Sequence, residues 1–184
     1  GGIKIRKNLE WRFNATFSQN KIAEFNEFID NWDTWGQDSS IHYNTDIAFS
    51  PSIIAGSQLV FTVFRSKKYG SVELGYITKY VGEQFIDNTS SKYSKLDDYI
   101  VDDIRISYSL KDKLFKELVI SGWVRNLFNQ KYVSNAWIYR FRSAGYNPVA
   151  DDPYANAEAD DRYNMIGAFP QAGINFFVGL TLKF

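Results

Sequence analysis

The residues from 173 to 184, GINFFVGLTLKF, alternate regularly between two kinds of position. Every second residue from Ile174 to Phe184 is apolar, and the positions between them are mostly small or polar. Because successive side chains of a β-strand point to opposite faces, this pattern predicts a strand with one apolar and one polar face. The apolar face has to be covered, either by a protein core or by lipid.

Similar alternation appears in several earlier segments. No apolar run approaches the ~20 residues of a membrane helix. The predicted fold class is therefore all-β, with an antiparallel sheet of about seven strands. Besides 174–184, the clearest segments are Leu9–Ser18, Val72–Tyr80, Ile100–Leu110 (interrupted by Asp102) and Leu118–Val124, with a less clear pattern at 57–65 and a short segment at 2–6.

The connections between these segments alternate between short and long. The short ones, at 6–8, 65–70 and 111–116, together hold eight Lys or Arg and one Asp. The long ones lie at about 22–43, 84–98 and 129–172, and the first of them has five acidic residues and no Lys or Arg. This asymmetry is typical of an outer-membrane barrel, with short periplasmic turns and long extracellular loops. An ordinary soluble β-sandwich with uneven loops is the alternative.

Composition narrows the possible chemistry. Aromatic residues make up 17% of the chain, which suits a barrel with aromatic belts at the membrane interfaces. There are no cysteines, which excludes disulfides and thiolate metal sites, and the zero net charge gives no argument for nucleic acid as a partner. His42 is the only histidine, so a catalytic triad would depend on one residue in a predicted loop. We therefore expect neither an enzyme nor a cofactor.

The acidic stretch 150–161 has enough carboxylates to hold calcium. Calcium takes about six to eight oxygen ligands, but the spacing here does not match an EF-hand loop. A solvated loop is the simpler interpretation, and no metal site is predicted. The acidic side chains concerned are Asp151, Asp152, Glu158, Asp160 and Asp161.

The stretch 136–146, AWIYRFRSAGY, is the best candidate for ligand binding. Aromatic faces beside guanidinium groups suit anionic chelates or sugars. The other interpretation is a strand extension whose aromatic residues pack against a neighbour. Trp123 and Arg125, on the preceding strand, are expected to face the lumen of a barrel. The candidate ligand-binding residues are Trp123, Arg125, Trp137, Tyr139, Arg140 and Arg142.

Residues 123–137, WVRNLFNQKYVSNAW, resemble the NLF-D/N-x-x-Y signature near the end of TonB-dependent transporters of Gram-negative outer membranes. Other stretches resemble the same family in the expected order: AFSPSIIAG (48–56), the YVG and DNT elements within 78–108, and FPQAGINFFVGLTLKF (169–184). The resemblance therefore covers most of the chain. The residues that match the signature are Asn126, Leu127, Phe128, Asn129 and Tyr132.

The resemblance implies a twenty-two-stranded transmembrane β-barrel, plugged by a separate domain, that imports scarce nutrients with energy from the inner membrane. Residues 1–184 would be the C-terminal part of the barrel domain, with the plug outside this chain. The nutrient would be an iron–siderophore complex, haem, cobalamin or an oligosaccharide. The implied partners are the lipid bilayer, the outer-membrane assembly machinery and, through an N-terminal region that this chain lacks, the TonB complex. The alternative is a structural or adhesive outer-membrane barrel without energised transport.

Two further expectations concern particular segments. The strand pattern ending in Phe184 looks like the signal read by the assembly machinery, although Phe184 would also serve as an interfacial anchor. The segment 129–172 is expected to lie outside the cell. Its middle, 147–161, is polar and Ala-rich, so we expect it to be loosely held and to act in ligand selection rather than in stability.

Overall fold

The computed structural model describes residues 1–111 and 116–184, which form an all-β structure, as predicted, in which all strand pairs but one are antiparallel. Two single-turn 3₁₀ helices, Lys92–Ser94 and Pro148–Ala150, are the helical elements of these residues. Neither they nor any other described residues provide an apolar helix long enough to cross a membrane. In chain order the strands are β1 Gly2–Arg6, β2 Leu9–Phe17, β3 Lys21–Asn31, β4 Gly36–Asp46, β5 Ile53–Ser66, β6 Gly70–Val81, β7 Gln84–Phe85, β8 Lys95–Leu96, β9 Tyr99–Leu110, β10 Glu117–Arg125, β11 Val133–Arg142, β12 Ala155–Ala157, β13 Arg162–Pro170 and β14 Asn175–Lys183.

Seven of these strands form the main sheet, in the order β1-β2-β5-β6-β9-β10-β14. All its pairs are antiparallel. Within the described residues the sheet does not close into a barrel, because β1 and β14 each have one neighbour. The predicted barrel is therefore represented by an open sheet with two edges.

The main sheet separates apolar from polar side chains, as the alternation predicts. Each apolar row crosses several strands through directly paired residues. Between those rows, on the opposite face, lie polar residues such as Glu73, Arg105 and Ser107. One apolar row consists of Leu59, Tyr76, Ile104, Val124 and Phe176, and the next consists of Phe61, Leu74, Ile106, Gly122 and Val178.

The turns and the long connections lie at opposite ends of the main sheet. The β1–β2 and β5–β6 turns share one end, as predicted from residues 6–8 and 65–70. Of the third predicted turn, 111–116, residues 112–115 lie outside the described residues, and the flanking Leu110–Leu118 pair lies at the same end. The other end is marked by the pairs Phe17–Ile53, Val81–Tyr99 and Arg125–Asn175.

The long connections contain the other seven strands, most of which the sequence did not predict. We call residues 18–52, 82–98 and 126–174 the loop layer. It holds a five-stranded sheet, in the order β12-β13-β11-β3-β4, and the small β7–β8 pair. The stretch 22–29 belongs to β3, which pairs with β4. Its buried positions include Glu27, so alternation of apolar residues does not mark the buried face.

The buried core lies near or within the loop layer. One cluster packs Ile86 and Leu96, from the connection 82–98, against Ala136 of β11. No buried apolar residue lies in the middle of the main sheet. The main sheet thus has exposed apolar side chains, whereas the buried residues lie mainly in the loop layer. The buried apolar residues of the described chain are Ile29, Val81, Ile86, Leu96, Ala136, Phe141, Ala155 and Tyr163.

Candidate functional site

Arg140 joins all three long connections at one point in the loop layer. It lies on β11 and is 6% exposed. Its Nε donates to Oε1 of Glu158 at 2.9 Å, and its Nη1 donates to Oε1 of Glu27 at 3.3 Å and also to Asp87. Since Glu27, Asp87 and Glu158 come from three different connections, this one guanidinium holds the connections together.

Further polar groups complete this ion-pair network. Arg162 of β13 places Nη2 at 2.9 and 3.1 Å from the two carboxylate oxygens of Glu27. His42 of β4 contacts the same carboxylate through Nε2 at 2.8 Å. Asn164, which is 1% exposed, donates from Nδ2 to Oε1 of Glu158 at 2.7 Å. Two cationic side chains therefore face three carboxylates, as buried charges require.

The network changes the proton affinities of its members. Burial by itself raises the pKa of Glu27. Hydrogen bonds from Arg162 and His42, together with the nearby positive charges, lower it by more than burial raises it, so the net pKa is below the ordinary value. Burial lowers the pKa of Arg140, but its bond to Glu158 and the charges of Asp87 and Glu158 raise it more. Both shifts favour the charged forms of Glu27 and Arg140.

An aromatic stack lies beside the network. Phe141 is fully buried and stacks on Trp32, with the ring centroids 3.9 Å apart. Tyr163 and Tyr139 lie on Phe141 with centroid distances of 5.6 Å each. The Tyr139 hydroxyl donates to Oδ2 of Asp30 at 2.9 Å. The aromatic residues of 137–141 therefore pack partly against neighbours, which was the second interpretation of this stretch.

The structure places the six predicted ligand residues in two groups, and their ligand role stays a prediction. On β11, Arg140 is committed to the network, and Arg142 donates to Oδ2 of Asp38 at 3.1 Å. Trp137 is exposed, with its indole against Gly167, where a Cβ would overlap the ring. This leaves Trp137 and the partly exposed Tyr139 as the residues of that strand best able to contact a ligand.

The other group lies on the polar face of the main sheet. Arg125 forms an ion pair with Oδ2 of Asp103 at 3.6 Å, and its guanidinium lies 5.8 Å from the ring centroid of Trp123. The guanidinium of Arg105, on β9, lies 6.0 Å from the centroid of the same ring. The described residues include no hydrogen bond or ion pair that joins this group to the candidates on β11. The six residues therefore do not form one site.

A polar cavity of about 610 Å³ lies at the turn end of the main sheet. Six cationic and three acidic residues line it, so positive charge predominates. All three acids are already paired: Glu10 with Arg12 at 2.7 Å, Glu73 with Arg65 at 3.3 Å, and Glu117 with Lys183 at 2.5 Å. The basic turns are evident in the sequence, but the cavity is not, because its lining residues come from several strands.

The acidic stretch 150–161 is engaged in other contacts. Glu158 belongs to the ion-pair network, Asp151 accepts from the Tyr146 hydroxyl at 2.6 Å, and Asp152 accepts from the backbone N–H of Tyr154 at 2.8 Å. No group of three or more acidic or histidine side chains in residues 1–111 and 116–184 is arranged to hold a metal ion.

Comparison with known proteins gives a distant structural similarity. No protein-family model and no curated protein sequence matches the chain. Among solved structures, the ferric yersiniabactin uptake receptor FyuA from Yersinia pestis aligns with the whole chain at 13% identity and a TM-score of 0.47. The chain spans 22% of that receptor's length. A match this distant assigns neither a family nor a ligand.

Proposed function

We propose that this chain forms part of the wall and outer loops of a nutrient transporter in the outer membrane of a Gram-negative cell. The observation that carries the proposal is the exposed apolar face of the main sheet. On β14, Phe176 is 70%, Val178 85% and Leu180 65% exposed. Contiguous apolar surface of this kind is rare on soluble monomers and is normal where a strand faces lipid.

The two open edges of the main sheet support a larger barrel. In lipid, each backbone polar group without a partner costs several kcal/mol, so an open sheet is not a stable membrane structure. Additional strands would pair with the free edges of β1 and β14, and the polar face would then line the lumen. The plug and the region that contacts the TonB complex would lie in other parts of the same protein.

The loop layer is the proposed ligand-facing part. The resemblance of residues 126–132 to the TonB-dependent signature supports import of an iron–siderophore complex, haem, cobalamin or an oligosaccharide. Trp137 and Tyr139 would contact this ligand, and Arg140 would act by holding the three connections together. Positive charge in the turn-end cavity favours an anionic ligand along the lumen.

Cysteine labelling tests the membrane placement, because the chain has no cysteine of its own. Val178→Cys and Thr181→Cys lie on opposite faces of β14, and both positions are exposed. With a fluorescent label and the intact natural protein in bilayers, we expect brominated lipids to quench position 178 much more than position 181. Equal quenching at the two positions would contradict the lipid-facing assignment.

Uptake measurements test transport separately. Cells that carry the intact protein should accumulate one of the four nutrient classes, and an uncoupler of the inner membrane should abolish this accumulation. Surface abundance is measured in the same cells as the control. Normal abundance without energy-dependent uptake of any class would favour the structural or adhesive alternative.

A further inference from the structure

Residues 126–129, the NLFN of the sequence analysis, lie at the neck of the longest connection. They follow β10, and residues 171–174 return to β14 beside them. Asn126 is 3% exposed and has a φ of 51°, a left-handed conformation that asparagine adopts more readily than most residues. A buried amide in this position must satisfy its donors and its acceptor within the protein.

The side-chain amide of Asn126 bonds both ends of the connection. Its Oδ1 accepts from the backbone N–H of Gln130 at 2.8 Å, and its Nδ2 donates to the carbonyl of the same residue at 2.8 Å. Nδ2 also donates to the carbonyl of Ala172 at 3.1 Å. One amide thus joins the outgoing chain at Gln130 to the returning chain at Ala172.

Asn129 makes a simpler contact at the same neck. Its Oδ1 accepts from the backbone N–H of Ile174 at 3.0 Å. Gly173 lies directly against this oxygen, and a Cβ at position 173 would overlap it. Asn129 therefore acts here only as an acceptor, whereas Asn126 needs both halves of its amide.

The neck is also attached to the main sheet. The backbone N–H of Asn126 donates to Oδ1 of Asp103 at 2.9 Å, and that of Leu127 donates to the carbonyl of Asp102 at 2.7 Å, both on β9. Tyr132 stacks on Tyr99, at the start of the same strand, with a centroid distance of 4.3 Å. The neck therefore has a fixed place relative to β9 and β10.

We propose that Asn126 is a positioning residue: through Gln130 and Ala172 it closes the neck of segment 130–172 and fixes this segment on the main sheet. The segment carries Arg140, Glu158 and Arg162, so the location of the ion-pair network depends on the closed neck. Asn126 itself contacts none of these network residues in the described structure.

The matched variants are Asn126→Asp and Asn129→Asp, made in the intact natural protein. Aspartate keeps the size of the side chain and tolerates a left-handed backbone, but its carboxylate only accepts hydrogen bonds. At 126 it places negative charge beside two carbonyl oxygens and loses both donated bonds. At 129 it keeps the single accepted bond, so this variant is the control.

Distances between spin labels report the position of the segment. One pair, at Tyr154→Cys and Lys67→Cys, spans from segment 130–172 to the turn end of the main sheet, and both positions are exposed. A second pair, at Lys7→Cys and Thr181→Cys, lies entirely in the main sheet and its turn. We expect Asn126→Asp to broaden the first distance distribution roughly twofold and leave the second unchanged, because a mobile segment loses its defined distance from the sheet. Asn129→Asp should resemble the wild type in both.

Three results would overturn this inference. In the first, the distance distribution of the first pair is unchanged in Asn126→Asp. In the second, the distributions of both pairs broaden equally, and in the third, the first pair broadens equally in the two Asp variants. If Asn126→Asp does not assemble, Gly173→Ala opens the same neck from its other side, and the first pair should again broaden alone. Because the readout is a distance within the chain, its outcome does not depend on whether the protein transports a nutrient.

Discussion

The main sheet and the loop layer place polar and apolar side chains in opposite ways. In the main sheet, apolar residues such as Val178 and Leu180 are exposed on one face. In the loop layer, the charged residues Glu27 and Arg140 are buried. The first arrangement suits an apolar solvent on one side of a sheet, and the second suits a structure in water whose parts are held together by internal ion pairs.

This difference means that the two regions depend on different contacts. The main sheet is held by strand-to-strand hydrogen bonds and by whatever covers its apolar face. The loop layer depends on a few charged groups that join segments distant in sequence, such as Glu27 and Arg162, which are 135 residues apart. A substitution that is severe in one region should therefore have little effect in the other.

Arg140→Met should have the largest effect. It leaves Glu27, Asp87 and Glu158 without their shared cation, and removing one partner of a buried ion pair costs about 3–5 kcal/mol. Hydrogen exchange should show this loss for the amides of β3 and β11 but not for those of β9 and β10. Arg142→Met is the control, because Arg142 has one pair with Asp38 and is partly exposed, and such pairs contribute about 0–1 kcal/mol. Equal losses for Arg140 and Arg142 would show that the network does not hold the layer.

Leu180→Arg tests the other region. Arginine on the lipid face near mid-membrane costs about 2–4 kcal/mol, whereas Lys183→Arg, at the end of β14, should cost little. Unfolding of the intact protein from bilayers measures both values. In Leu180→Arg, hydrogen exchange of the amides of β3 and β11 should stay unchanged. A neutral Leu180→Arg would remove the lipid-facing assignment of this face.

Glu158→Gln should have an intermediate effect within the loop layer. It keeps an acceptor for Arg140 and Asn164 but removes the charge, and a hydrogen bond to a charged group contributes about 1.5–3 kcal/mol. Asp160→Asn, at an exposed position two residues away with a φ of 57°, should stay within about 0.5 kcal/mol of wild type. Hydrogen exchange in β11 and β13 distinguishes them. Similar hydrogen exchange in the two variants would show that Glu158 contributes no more to stability than an exposed surface charge.

The main sheet could be predicted from the sequence because its pattern is local. Side chains in Ile100–Leu110 or 174–184 alternate with a period of two, and register then aligns these apolar positions across strands. The basic turns and long loops gave the two ends of the sheet. Closure and membrane insertion could not be obtained in this way, because they depend on what lies beyond the edges of β1 and β14.

The loop layer could not be predicted because its interior is polar. In β3 and β11 the buried positions include Glu27 and Arg140, so hydrophobic alternation gives no signal there. The pairings are also distant in sequence, as with Phe141 of β11 and Asp30 of β3. Within 147–161, Pro148 and Ala155 are buried and Glu158 is a member of the network, contacts that composition does not reveal; the loose attachment expected for this stretch stays a prediction.

Acid should loosen the loop layer while the main sheet stays intact, and this is the smallest effect that we predict. The folded pKa of Glu27 lies below its ordinary value because the hydrogen bonds from Arg162 and His42 outweigh burial. The pKa of Asp33, which links the first and third connections, is also lowered, by the backbone N–H groups of Ala144 and Gly145. A lowered folded pKa means that the stabilisation is fully present above the unfolded pKa, about 4.3 for Glu, and is lost as the pH falls through the folded pKa.

The spin-label pair at positions 154 and 67 should therefore give the same distance distribution at pH 7 and at about pH 5, and a broader one below about pH 4. The pair at positions 7 and 181 should not change over this range. The cationic groups that face Glu27 are Arg140 and Arg162, which keep their charge throughout, and the imidazole of His42 contacts the same carboxylate. The variant His42→Gln distinguishes the effect of the histidine from that of the carboxylates. Glutamine can still donate a hydrogen bond to Glu27, so the acid broadening should persist in this variant. A change that occurs between pH 7 and 5, and that disappears in His42→Gln, would assign the pH response to His42 and contradict the prediction.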